Sequence, residues 1–228
     1  MNKRLSIIWV AGLVIVASVL SSAQTNTDAQ IPGTLKWHAE QAKKRGAKSI
    51  AIGEFPGLEE DINMDQALDR YTVITAIPVS STVGVETDTI LTWYKFKVLS
   101  VLSKAKECHP CNPALSIPST LLPVSQDEIA IPISGGTATV DGVVITVQAA
   151  HPVIEMNQQY LFFLGAMAGS NQVAPIAGGA QEWAFRIDTE GKLHSVSNRV
   201  TRLSKDVMAK GSIDSVRQHI RSAKAGLP

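Results

Sequence analysis

Two runs of residues constrain this chain more than any other feature: RYTVITAIPVSST from Arg70 and DTILTWYKFKVLSVLSK from Asp88 repeat Val, Ile, Thr and aromatic side chains with a period of two. Successive side chains of a strand point to opposite faces, whereas a helix face recurs every three or four residues, so both runs are expected to be strands. The Gly84 to Asp88 segment between them reads as a hairpin loop. In the second run Ile90, Thr92, Tyr94 and Phe96 hold one face through Val98, and Leu91, Trp93, Lys95 and Lys97 hold the other. Both faces are therefore expected to be partly covered near its start.

More β segments surround this pair. SIAIGEF from Ser49 is strand-like, and EIAIPIS (128–134), ATVDGVVITVQAA (138–150, with a turn at Asp141-Gly142) and QQYLFFLGAM (158–167) follow at the spacing of a compact all-β domain. A last hairpin, EWAFRIDTEGKLHSV, turns at Glu190-Gly191. Nothing helical is read between these strands, so the chain is expected to be mainly β, a small antiparallel barrel rather than a sandwich or a parallel α/β sheet. A helix is expected at each end. TLKWHAEQAKKRGA has Thr34 as N-cap, a basic last turn and Gly46 beyond it, and its thin apolar face of Leu35, Ala39 and Ala42 predicts a peripheral position. SIDSVRQHIRSAKAG has Ser212 as cap, Asp214 in the first turn, basic residues late and Gly226 beyond, with a stripe of Ile213, Val216, Ile220 and Ala223 to pack on the barrel.

The order of certain segments resembles a known family. VITAIPVSS (73–81), YKFKVLSVLSK (94–104), SGG (134–136) and PVIEMNQQYLFFL (152–164) are similar to the netrin/TIMP-like OB-fold domains and to secreted bacterial proteins of that type, over about residues 70–190. The resemblance implies an OB-like barrel. It does not carry over metalloprotease inhibition, because the animal members start with disulfide-bonded cysteines near the mature N-terminus and no cysteine precedes Cys108 here.

The N-terminus points to export. Lys3 and Arg4 precede an apolar run from Leu5 to Leu20, and small residues at Ser21 and Ala23 match what a signal peptidase reads. Cleavage is expected after Ala23, giving residues 1–23 as signal peptide, 24–64 as leader and helix, 65–200 as the β-barrel domain and 201–228 as a C-terminal helical segment. No later stretch is long and apolar enough to hold the processed chain in a membrane. Its charge is segregated: residues 24–48 carry five Lys/Arg against two Asp/Glu, residues 199–228 seven against two, and the middle seven against sixteen. Basic helices lying on an acidic β body explain this, and with Trp37 as the one aromatic in the ends the pattern does not describe a nucleic-acid platform.

Both cysteines lie in KECHPCN, at Cys108 and Cys111. In an exported chain the pair is expected to be a disulfide; so small a ring stabilises by about 2 kcal/mol and shapes a loop more than it holds a fold. The alternative is a redox centre, favoured by Lys104, Lys106 and His109 nearby, but Pro113 and Pro118 leave no room for the helix whose dipole would stabilise a Cys108 thiolate. A metal site needs two further ligands, and His151 and His194 are isolated. His38 has no partner at the next helical turn, Gly135-Gly136 and Gly178-Gly179 read as turns, and Glu59, Glu60 and Asp61 read as a solvated acidic run. No catalytic signature, cofactor loop or metal motif is present in the sequence. The expected function is therefore an exported, non-catalytic binding module for a protein or small ligand, with no cofactor, and the alternative is a thiol–disulfide oxidoreductase using Cys108 and Cys111.

Overall fold

The computed structural model describes residues 32–53, 61–86, 88–105, 112–113, 117–148, 154–168, 173–175, 183–196 and 200–226. The expected signal peptide, Glu59, Glu60, Cys108, Cys111, His151 and Gly178-Gly179 lie outside them. In chain order the elements are α1 (Leu35–Lys44), β1 (Ser49–Gly53), α2 (Met64–Arg70), β2 (Thr72–Val85), β3 (Ile90–Ser103), β4 (Asn112–Pro113), a 3-10 turn (Ser119–Leu121), β5 (Glu128–Ser134), β6 (Gly136–Val140), β7 (Val143–Gln148), β8 (Gln159–Ala168), β9 (Val173–Pro175), β10 (Ala184–Ile187), β11 (Leu193–Ser195), α3 (Arg202–Lys210) and α4 (Ile213–Lys224). The chain is mainly β, as the period-two runs require.

β2 and β3 form the long antiparallel pair, from Val85 opposite Ile90 to Val73 opposite Ser103, with three shifts of register. The loop is tighter than expected. Glu86 N–H donates to Thr89 O at 2.9 Å, and Gly84 belongs to the ladder, where a Cβ would meet the Trp93 indole at 3.4 Å. The larger sheet runs β11-β10-β8-β2-β3-β5, and β9 and β4 also pair with β8. Every pairing in it is antiparallel except that of β4 with β8.

Four features depart from the sequence reading. A short helix, α2, stands between β1 and β2, built on a capping box in which Asn63 and Gln66 bond each other's backbone N–H. β1 does not join the main sheet; it pairs in parallel with β7 in a separate sheet of order β1-β7-β6. The C-terminal segment holds two helices rather than one. Among the described residues neither sheet closes on itself, although Cα atoms of β5 come within 8 Å of those of β9.

Packing explains the placement. Val73, Ile74, Thr75 and Ala76 are all buried, since β8 flanks this stretch of β2 and both faces are covered. Phe96, Phe162, Trp183 and Tyr160 form one aromatic cluster, with Phe162 edge-on to Phe96 at 4.9 Å and stacked on Trp183 at 5.5 Å. α3 and α4 add Leu203, Val207, Ile213, Val216 and Ile220 to the same core, whereas Ala223 of the expected stripe is exposed. Full burial of an Ile side chain such as Ile220 stabilises by roughly 1.5–3 kcal/mol, which is enough to dock a helix this short. α1 is less peripheral than its composition implies: Leu35, Ala39 and Ala42 are buried in a second core against Val143, Ile145 and Val147 of β7. Leu91 and Trp93 are covered by Leu121 and its loop, so both faces of β3 are shielded at its start.

Candidate functional site

The polar cluster that the fold assembles lies where α2, α4 and the end of β3 meet. α2 and α3 are laced at their N-termini: Met64 N–H donates to Asp206 Oδ2 at 3.0 Å and Arg202 N–H to Asp61 Oδ1 at 3.2 Å. Each aspartate thus satisfies a helix N–H that has no partner within its own helix. Asp61, expected to be one of a solvated run, is exposed and in addition serves the fold in this way. Thr201 and Ser212 cap α3 and α4 by accepting from Ser204 and Ser215 N–H.

This lacing brings Asp65 of α2 against His219 of α4. His219 Nε2 lies 2.8 Å from Asp65 Oδ1, and its Nδ1 lies 3.2 Å from Lys210 Nζ at the end of α3. The ammonium has only donors, so Nδ1 accepts; Nε2 therefore carries the proton and donates to Asp65. The imidazole is neutral and both of its nitrogens are occupied. Ser215 stands one turn before His219, a spacing that could serve a nucleophile and its base. Its hydroxyl is instead 3.1 Å from that of Ser212, and His219 has no free lone pair to offer it.

Beside this chain of bonds is a cleft of about 910 Å³, with Leu68 and Ile220 in its apolar lining and Lys104, Lys210 and Lys224 among its charged lining. Ser103, the last residue of β3, also lines it. Ser103 is only 3 % exposed, and among the described residues its hydroxyl has no hydrogen-bond partner. Lys224 Nζ donates to Leu102 O at 3.1 Å, which ties the end of α4 to β3.

Other titratable groups serve the fold. Asp188 accepts from the backbone N–H of Glu190 and Lys192, both at 2.9 Å, and faces His194 Nε2 at 2.8 Å across the β10–β11 turn. The bond from His194, followed by those backbone N–H groups, holds the Asp188 carboxyl below its ordinary range. Ser125 N–H does the same for Glu128. Burial raises the Tyr160 phenol, against the bond it accepts from Glu155 N–H at 2.9 Å. The Trp183 indole N–H is buried without a partner among the described residues.

Among the described residues, those singled out from sequence are not brought together. His38 is half-buried, edge-on to Trp37 at 4.9 Å. Gly135-Gly136, expected to be a turn, has positive φ at both positions, but Gly135 alone links β5 to β6 and Gly136 already belongs to β6. Among the described residues no three His, Cys, Asp or Glu side chains are grouped to hold a metal ion. No described helix is long and apolar enough to cross a membrane. Asp65, Ser103, Lys210 and His219 escaped the sequence reading, because 154 positions separate Asp65 from its partner His219. The one local signal is the polar stripe of Ser215, His219 and Ser222 along α4. Comparison with protein-family models, with curated proteins and with solved structures gives no match.

Proposed function

We propose that this chain is an exported binding module that holds a small ligand in the cleft between α2, α4 and the end of β3, without catalysing its conversion. The observation that carries this reading is Ser103: a hydroxyl with no partner among the described residues, on a residue only 3 % exposed, at the wall of a cleft of ligand size. A hydroxyl that reaches the cleft can donate to a bound acceptor in place of solvent. The closed bonding of His219 supports binding over catalysis, since the histidine of the cluster has no nitrogen left to move a proton.

Export rests on the charged, apolar and small-residue pattern of residues 1–23. The OB-like barrel draws support from the antiparallel neighbours β9-β8-β2-β3-β5 and the approach of β5 to β9, and the netrin/TIMP-like resemblance rests on the strand segments of the sequence. Native mass spectrometry of the chain recovered from outside the exporting cell tests the reading as a whole. The expected mass begins at Gln24 and carries a small-molecule adduct that Ser222→Trp, which plugs the cleft, removes. An adduct indifferent to that change, or none on either chain, overturns the cleft as the binding site.

A further inference from the structure

We infer that the cleft takes its ligand through an oxyanion, a carboxylate or a phosphoryl group, held between Ser103, Lys104 and Lys224. This deepens the binding reading above and rests on it. The charged hydrogen-bonding capacity left open at the β3 end of the cleft is donor capacity. Lys224 gives one of its three N–H to Leu102 O, and Lys210 gives one to His219. Lys104 and the Ser103 hydroxyl have no partner among the described residues. On the acceptor side, His219 Nδ1 is filled, Asp65 Oδ1 accepts from His219 Nε2–H and Asp69 is itself partnered, which leaves Asp65 Oδ2 and the neutral Gln218 and Ser222 side chains as acceptors away from Lys224.

The charge agrees with the donor count. Three lysines against Asp65 and Asp69, with His219 neutral, leave the lining at +1. Asp65 and Lys210 offset each other through the imidazole, so the uncompensated charge lies at the β3 end, with Lys104 and Lys224. A neutral polyol would leave those ammoniums without a counter-charge and a cation would be repelled. An anionic oxygen accepts from them in charge-assisted bonds, which are shorter and about twice as strong as neutral ones. The cleft, at about 910 Å³, falls in the range of roughly 300–1,000 Å³ typical of small-molecule sites and is larger than a bare anion fills. Ala223, exposed near the end of α4, and the edge of Leu68 offer apolar surface to the rest of the ligand.

The test is backbone-amide NMR on the whole chain, titrated at constant ionic strength with inorganic phosphate, citrate, glucose or spermidine. Phosphate, citrate or both are expected to shift the amides of Ser103, Lys104 and Lys224 saturably, and added NaCl to weaken the effect. A response to phosphate alone assigns a phosphoryl ligand, and one to citrate alone a carboxylate. Ser103→Ala is expected to leave the Tm of the free protein unchanged and to weaken anion binding about tenfold, the scale of one hydrogen bond to a charged group. Lys224→Gln is expected to weaken it as well. Glucose or spermidine saturating the same amides while both anions fail would overturn the oxyanion and leave the cleft as the binding site. Anion binding untouched by Ser103→Ala would reduce the lysines to an unspecific rim and overturn the inference. Silence from all four probes also overturns it, and the adduct experiment then decides the cleft independently.

Discussion

Gly136, at the start of β6, is where the smaller sheet meets the β2–β3 hairpin, and Gly136→Ala tests that junction. Its φ of +136° is a conformation that an L residue adopts only under strain, at about 1–3 kcal/mol. An added Cβ would stand 2.8 Å from Thr92 Oγ1 and 3.3 Å from Ile90 Cγ2. Thr92 cannot simply turn away, because its hydroxyl donates to Gly135 O at 2.7 Å. Losing that bond adds about 1 kcal/mol. The expected destabilisation is about 3 kcal/mol, which for a chain of this length lowers Tm by roughly 6–12 °C. Differential scanning calorimetry reads this directly, with Gly53→Ala as the control, since no atom lies within 4 Å of the Cβ added there and its φ is not positive. In a Thr92→Ala background the Gly136→Ala cost should shrink by the clash and keep the backbone strain. A Gly136→Ala protein as stable as the Gly53→Ala control would refute the reasoning and place the two sheets in looser contact than described.

Four further outcomes are expected. Ile220→Asp puts a charge on a residue only 3 % exposed and should destabilise by about 3–5 kcal/mol in urea unfolding; an unchanged midpoint would mean that α4 does not dock. Asp188 has a depressed pKa in the fold, so it stabilises above its ordinary value of about 4 and loses that contribution as pH falls through the folded value. The stability gap between the protein and Asp188→Asn should therefore be present at pH 7 and close on acidification; a gap independent of pH would remove the His194 pairing from the account. Cys108 and Cys111 should be bridged in exported material and resist glutathione, as structural disulfides below about −300 mV do, whereas a reversible midpoint between about −120 and −270 mV on alkylation would establish the oxidoreductase reading. Intact mass of the exported chain should correspond to a first residue at Gln24, and retention of residues 1–23 would end the signal-peptide reading.

Much of the fold was legible because local rules govern it. The Thr34 and Ser212 caps form as read, each accepting from the N–H three residues on. β5 covers 128–134 as read, and Asp141-Gly142 turns with φ of 50° and 79°. α2 was hidden in an acidic stretch of seven helical residues, too short for a periodic apolar face, and only the Asn63/Gln66 box marked it. Of the candidate site, the sequence offered single residues and no grouping: a serine ending a strand, a lysine ending α3 and a histidine on the polar side of α4.

The sequence by itself determined most of the strands and the helices α1 and α4, because alternation, caps and turn residues act within a few positions of the chain. Only the tertiary structure decided which strands pair and what meets at the cleft. The parallel pairing of β1 with β7 joins segments about a hundred residues apart, and Asp65 finds His219 because buried apolar residues dock α4 on the sheet while Asp61 and Asp206 lace α2 to α3. Apolar burial is non-directional, so the pattern of a helix states that it must pack without stating on what. The polar groups that arrive together are set by where that packing ends.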